Sequence, residues 1–304
     1  MKVLLTGGTG FIGRELLKHL TTHEIVLLTR NPRRAREHLN HTDMGNVTYV
    51  SSLDTFQHLN DFDAVINLAG EPIADKRWSK KQKKAICESR WSLTEQLVEL
   101  IHASTTPPSV FISGSAVGYY GDQQDHPFDE SLHVSDNGFP HHVCSKWEQI
   151  ANRARSEMTR VCILRTGVVL APQGGALLKM LPPYRLGLGG PLGSGHQYIP
   201  WIHMLDMVRG IVYLLETPHA SGEFNLCAPH PVTNKLFSQT LARTLKRPHL
   251  LRTPKWLMSM AMGESSVLLF DSIRAKPKKL TELGFHFSYS RIEPALKNLL
   301  QHQE

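Results

Sequence analysis

A chain of 304 residues with a formal charge of +7 and 20% charged residues is long enough to bury a large core, in one domain or two unequal lobes. Its composition is that of a folded globular protein rather than a disordered one, and no run of about 18 apolar residues is present to cross a membrane. That absence is the ground for expecting no membrane partner; the excess basic charge gathers at residues 30–36 and 76–84, and such runs are mostly solvated helix faces, so no nucleic-acid partner is expected either.

Residues 2–5 read as a short apolar strand, and the helix that follows carries Leu16, Leu17 and Leu20 on one face. Gly7, Gly10 and Gly13 lie between them. That spacing lets the backbone turn tightly and approach a pyrophosphate, which unpaired N–H groups and the helix dipole favour. A dinucleotide site is therefore expected at Gly7, Gly10, Phe11, Ile12 and Gly13. The apolar run ends at Thr6, too short for the core of a signal peptide.

The next β-rich run, residues 25–29, ends in Thr29, Arg30, Asn31, Pro32 and Arg33. A protein selective for NAD places a carboxylate here, about twenty residues past the glycines, to bind the ribose 2′-hydroxyl. No acid stands there, and the guanidiniums of Arg30 and Arg33 suit a 2′-phosphate instead. NADP is expected rather than NAD.

Further β-rich runs at residues 47–50, 64–68, 110–113, 161–165 and 223–226 mostly alternate with helical patterns, including those near 79–104 and 141–157. The alternation implies an α/β fold, a Rossmann-type doubly wound parallel sheet. Ligands of such sheets lie beyond the carboxyl ends of the strands, where Asn67, Leu68, Ala69, Gly70 and Ser115 fall. After Arg165 the chain becomes irregular and rich in Gly and Pro, then helical over 202–215 and from Pro231 onward. The organisation expected is a dinucleotide-binding domain over residues 1–228, with an interleaved substrate loop near 171–200, and a smaller, mainly helical lobe over 229–304. Trp201 and His203 stand where they could face the substrate cleft, although core packing suits Trp201 at least as well.

Cys87, Cys144, Cys162 and Cys227 form no C-x-x-C pair, which fits free thiols in a reducing cytoplasm. Of the 17 histidines, His38 with His41 and His141 with His142 lack a third ligand at metal spacing, so no metal is expected. Asp125, Asp129 and Glu130 read as acids of a solvated turn.

Taken together these residues resemble the extended short-chain dehydrogenase/reductase superfamily of epimerases, dehydratases and reductases. Later motifs resemble its atypical epimerase-family branch, which has its own C-terminal domain. They are Gly70 to Trp78, Ser89-Arg90, Ser115 to Gly121, Cys144 with Trp147-Glu148, Gly189 to Gly195, Trp201 to His203 with Asp206, and Ala275 to Leu280 with Gly284-Phe285. The resemblance implies NADP held by the glycine loop, with Thr29 and Arg30 on the adenosine ribose and its phosphate. It also implies Leu53 beside the adenine, and Asn67, Leu68, Ala69, Gly70, Gly167 and Val168 lining the cofactor. Glu71 and Arg77 look like part of the same pocket. A polar, nucleotide-linked small molecule is the class of substrate implied, and a homodimer is left open.

Ordinary members of the superfamily use Ser or Thr with a Y-x-x-x-K pair on one helix, where the lysine lowers the phenol's pKa. Here Ser115 matches the serine, and His142-Val-Cys-Ser-Lys146 matches the pair with histidine in place of tyrosine. Three readings stay open. His142 is the acid/base, its ordinary pKa of about 6.5 being lowered by Lys146; or Tyr119 or Tyr120 reaches the substrate; or the site binds cofactor without turnover, with Lys146 on the nicotinamide ribose.

Overall fold

The computed structural model describes residues 1–39, 46–135 and 138–301, and His41 lies outside them. In chain order the Rossmann half runs β1 (Lys2–Thr6), α1 (Phe11–Leu17), β2 (Glu24–Leu28), α2 (Pro32–Leu39), β3 (Asn46–Val50), β4 (Ala64–Asn67), α3 (Lys80–His102), β5 (Val110–Ala116), α4 (Gly138–Asn152) and β6 (Arg160–Thr166). Then come β7 (Val168–Ala171), α5 (Gly175–Arg185), β8 (Tyr198–Ile199), β9 (Trp201–His203), α6 (Met204–Glu216) and β10 (Gly222–Leu226). The remainder is β11 (Val232–Thr233), α7 (Asn234–Thr244), α8 (Lys255–Met262), α9 (Val267–Phe270), α10 (Lys278–Glu282) and α11 (Ile292–Gln301).

Seven strands form one parallel sheet in the order β10-β6-β5-β4-β1-β2-β3. Alternate residues of each central strand serve opposite layers. Val3, Leu5, Ala64, Ile66, Val110 and Ile112 pack with α1 and α6, whereas Leu4, Val65, Phe111, Val161 and Ile163 pack with α3 and α4. Burial on both faces makes the strands almost continuously apolar, and each fully buried aliphatic side chain contributes about 1.5–3 kcal/mol. Strand order reverses at β1, which has β2 on one side and β4 on the other. The crevice beyond the carboxyl ends of β1 and β4 is therefore where this topology binds a ligand.

The structure departs from the sequence reading in several elements, first of all in α5 (Gly175–Arg185), a helix inside the stretch near 171–200 expected to be an irregular loop. The helix expected from residue 202 starts at Met204, because Trp201–His203 pairs with β7 as a strand. The helix expected over 141–157 spans Gly138–Asn152 and ends in turns at Arg153, Ala154 and Arg155. A second core joins α5, α7 and α11 around Trp201. Trp201 is fully buried there, its indole N–H donating to the His230 carbonyl at 3.2 Å, so it packs in the core rather than lining the cleft.

His203 and Asp206 hold the C-terminal lobe to this core. The His203 ring stacks on Tyr289 at 4.0 Å, and its Nδ1 caps α6 by accepting the Leu205 N–H at 3.0 Å. Burial lowers its pKa, consistent with a neutral cap. The fully buried Asp206 carboxylate accepts the backbone N–H groups of Ser288 and Tyr289, both at 2.8 Å. Asp206→Ala would strand those two donors at a cost of about 1–3 kcal/mol each. We expect urea unfolding to show a loss of about 3 kcal/mol; a loss below about 1 kcal/mol would remove Asp206 as the anchor.

Candidate functional site

The turn after β1 is shaped by two close backbone approaches. Gly7 has φ +73°, and a Cβ on it would lie 2.6 Å from the Leu68 carbonyl carbon. A Cβ on Gly13 would lie 2.3 Å from the Gly7 oxygen, so α1 packs hard on the turn. Gly10 is different: a Cβ there meets only the Gly7 oxygen, at 3.0 Å. Its open side faces no protein atom closer than that, as a ligand approach requires. Gly10 caps α1 without a side-chain hydrogen bond, and the first turn holds no acid. Its leading N–H groups suit a pyrophosphate. Phe11 closes one wall against Gly174 and Gly175 at the start of α5, where added Cβ atoms would lie 2.6 and 2.8 Å from the ring. Ile12 is half-buried and packs against the core.

At the end of β2, Thr29 is half-buried and its N–H donates to the Val50 carbonyl at 2.9 Å. Arg30 is exposed and makes no hydrogen bond or ion pair among the described residues. Its charge reaches Glu71, whose pKa is lowered by hydrogen bonds from Lys76 and Gln82 and, more weakly, by Arg30. Arg33 instead points outward from α2 and pairs with Glu37 at 3.3 Å. Leu53 is buried in the α3/α4 core layer.

The Asn67 side chain is committed to the fold. It accepts from Thr6 Oγ1 at 2.6 Å and donates to Thr94 Oγ1 at 2.9 Å, and Thr94 also accepts from the Trp147 indole at 2.8 Å. This buried chain ties β1, β4, α3 and α4 together. Beyond it Leu68 and Ala69 are half-buried and Gly70 is exposed along the crevice. Gly70 lies against the Arg90 guanidinium, which donates to the Glu71 carbonyl at 3.0 Å. Arg77 leaves this neighbourhood and donates to the Met260 carbonyl of α8 at 3.1 Å. Gly167 and Val168 follow β6, half-buried, with the Val168 N–H on the Pro200 carbonyl at 2.7 Å.

Ser115 is buried near the end of β5 and donates to Glu148 Oε1 at 2.6 Å. Glu148 forms a two-pronged pair with Arg165, at 3.0 Å from Nε and 2.8 Å from Nη2. Arg165 also donates to the Tyr120 hydroxyl at 2.9 Å, and that hydroxyl donates to Asn225 at 2.8 Å. Its guanidinium lies 3.7 Å from the centre of the half-buried Tyr119 ring. The Asn225 N–H in turn meets Glu130 at 3.0 Å. Glu130 is therefore a buried anchor, not the solvated turn residue expected, and burial raises its pKa.

The structure does not bring His142 and Lys146 to Ser115. Both are exposed on the outer face of α4, where His142 meets Trp91 edge-on at 5.4 Å and the Lys146 ammonium lies 4.5 Å from the same ring. The row one turn apart on the inner face is Pro140, Cys144 and Glu148, all buried. The Y-x-x-x-K alignment is thus out of step by two residues, which on a helix is more than half a turn. Burial pushes the Cys144 thiol up to about 11. Arg165 and Glu148 were not among the expected site residues. Their signal was a charge at the end of the apolar run 161–165, since a charge buried in a strand requires a partner. On this geometry Lys146→Ala should leave dinucleotide affinity within about twofold, read by fluorescence titration. A tenfold loss, about 1.4 kcal/mol, would put the ammonium at the cofactor.

Among the described residues no cluster could hold a metal ion, and no helix is long and apolar enough to cross a membrane. Residues 3–227 match the family model described as the NAD dependent epimerase/dehydratase family, and residues 253–299 match a domain of unknown function (DUF1731). The chain is 38% identical to the epimerase family protein YfhF of Bacillus subtilis, covering 99% of this chain and 98% of that protein. It is 37% identical to the chloroplastic epimerase family protein SDR39U1 homolog of Arabidopsis thaliana, covering 99% and 87%. The crystal structure of human epimerase family protein SDR39U1 with NADPH superposes with a TM-score of 0.89 at 33% identity, covering 99% of both chains. This chain accordingly belongs to the NAD-dependent epimerase/dehydratase family, in which it is an SDR39U1-like member.

Proposed function

We propose that this chain binds NADPH in the crevice between β1 and β4 and acts as an oxidoreductase or epimerase on a polar small molecule, by hydride transfer beside Ser115. One observation carries the choice of cofactor. Arg30 stands unpaired and exposed at the end of β2, where a carboxylate would select NAD. The NADPH in the human relative's structure supports the same reading.

NADPH supplies a hydride when bound; the residues supply the rest. The open side of Gly10 and the leading N–H groups of α1 would hold the pyrophosphate, and Arg30 the 2′-phosphate. Phe11 against Gly174 and Gly175 shields that wall from water. Ser115 gives its one proton to Glu148, so toward a substrate it can only accept. It therefore suits the hydroxyl form of a substrate, from which hydride would pass to the oxidised nucleotide, better than the carbonyl form that NADPH would reduce. The Tyr120 hydroxyl is taken by Arg165 and Asn225, which leaves Tyr119 as the candidate proton donor of this turn.

A second reading, an NADPH-binding module without turnover, is favoured by the inner row of α4, which offers Cys144 and Glu148 but neither tyrosine nor lysine. NADPH oxidation with any substrate of a broad carbonyl and sugar-nucleotide panel, lost in Tyr119→Phe, separates the two. For the cofactor, we expect NADPH to bind at least about tenfold tighter than NADH, or about 1.4 kcal/mol. Arg30→Ala should erase that preference and leave NADH affinity unchanged, measured by titrating both nucleotides. Equal affinities in the unmutated protein would overturn the assignment.

A further inference from the structure

The C-terminal lobe carries an exposed apolar surface that the site does not use. Helix α8 (Lys255–Met262, sequence KWLMSMAM) has no buried residue. Trp256 is 63% exposed and Met260 68%, with Leu257 also exposed. The surface continues beyond the helix. Residues 191–193 run beside Thr253, whose N–H donates to the Pro191 carbonyl at 3.0 Å and whose carbonyl accepts the Gly193 N–H at 2.9 Å. In the chain leading into these two segments stand Leu186 and Leu188, in the turn that ends α5, and Leu250 and Leu251, all exposed, Leu250 at 86%. Large side chains this exposed and this close together mark an interaction surface.

Charge narrows the partner. No Asp or Glu occurs between Glu157 and Asp206, nor between Glu223 and Glu264, the two segments that build this surface. The second of them holds Lys246, Arg247, Arg252 and Lys255, none in an ion pair among the described residues; the Lys255 charge reaches the Asp271 carboxylate, and Arg252 Nε donates to the Gly193 carbonyl, which leaves its outer N–H groups available. Beside the start of α8 a hollow of about 420 Å³ is lined by Gly193, Ser194, Arg252, Pro254 and Lys255. Two basic side chains at the foot of a row of protruding Trp, Leu and Met suit a phosphate headgroup with acyl chains beside it. A second copy of the chain would set basic rim against basic rim. Nucleic acid would leave the apolar side chains in water, and the apolar residues protrude rather than form a groove for a peptide.

We propose that this face docks on an anionic phospholipid surface, with Trp256, Leu257 and Met260 entering the headgroup boundary and Arg252 and Lys255 meeting lipid phosphate. The membrane was excluded above by spanning length, and a helix lying in the interface has no such requirement. Of the five tryptophans Trp256 is the exposed one, so its fluorescence reports contact. The full chain should sediment with vesicles of phosphatidylglycerol and phosphatidylcholine at low salt, with a blue shift in emission, and not with phosphatidylcholine alone. Since both side chains stand largely in solvent, Trp256→Ser with Met260→Ser should keep the melting temperature yet weaken vesicle binding by about tenfold or more. Arg252→Glu with Lys255→Glu should do the same. Absence of sedimentation with the anionic vesicles, or undiminished binding by the Trp256/Met260 variant, would overturn the proposal.

Discussion

The buried pair of Glu148 and Arg165 is the interaction on which the site depends. It joins α4 to β6 and holds the Ser115 hydroxyl from one side. Through Tyr120 and Asn225 it reaches Glu130, whose other oxygen accepts the Lys279 N–H at the start of α10. Sheet, candidate site and C-terminal lobe are thus one polar network. A buried ion pair is not in itself a large source of stability, because desolvation offsets most of the attraction. Removing one partner is different: the survivor is left buried and uncompensated, at a cost of about 3–5 kcal/mol. The pair is better understood as fixing geometry than as strengthening the fold.

Topology supplies the other constraint. Since strand order reverses at β1, the helices that follow β1 and β4 pack on opposite faces of the sheet, and the Gly7 turn and the Leu68–Gly70 segment, in contact with each other, become adjoining walls of one crevice. Asn67 and Thr94 lock those walls from beneath with hydrogen bonds, and the Asn67 side chain is fully buried away from the crevice. Recognition in this stretch therefore falls to backbone groups. That accords with the glycine-rich character of both walls, which admits close approach where side chains would block it.

Much of this was legible in the sequence because it rests on local rules. Strand periodicity, the glycine spacing and Arg30 at the end of the second strand each follow from a few adjacent residues, and the parallel doubly wound sheet follows from their alternation. What the sequence does not carry is helix phase and tertiary contact. His142 and Lys146 have the one-turn spacing of the superfamily pair, but spacing does not say which face they occupy, and the inner row belongs to Cys144 and Glu148. Glu130 looked like a turn acid because its partners, the N–H groups of Asn225 and Lys279, lie far along the chain. Arg77, expected at the pocket, also meets α8, remote in sequence, through the Met260 carbonyl.

A crystal structure of the NADPH complex tests the central claim most directly. The account predicts the 2′-phosphate against Arg30, the pyrophosphate at Gly10 and the N-terminus of α1, and Ser115 with the Cys144–Glu148 row beside the nicotinamide end. His142 and Lys146 should remain packed on Trp91. A Lys146 ammonium hydrogen-bonded to the nicotinamide ribose, with α4 rotated to bring it there, would contradict it.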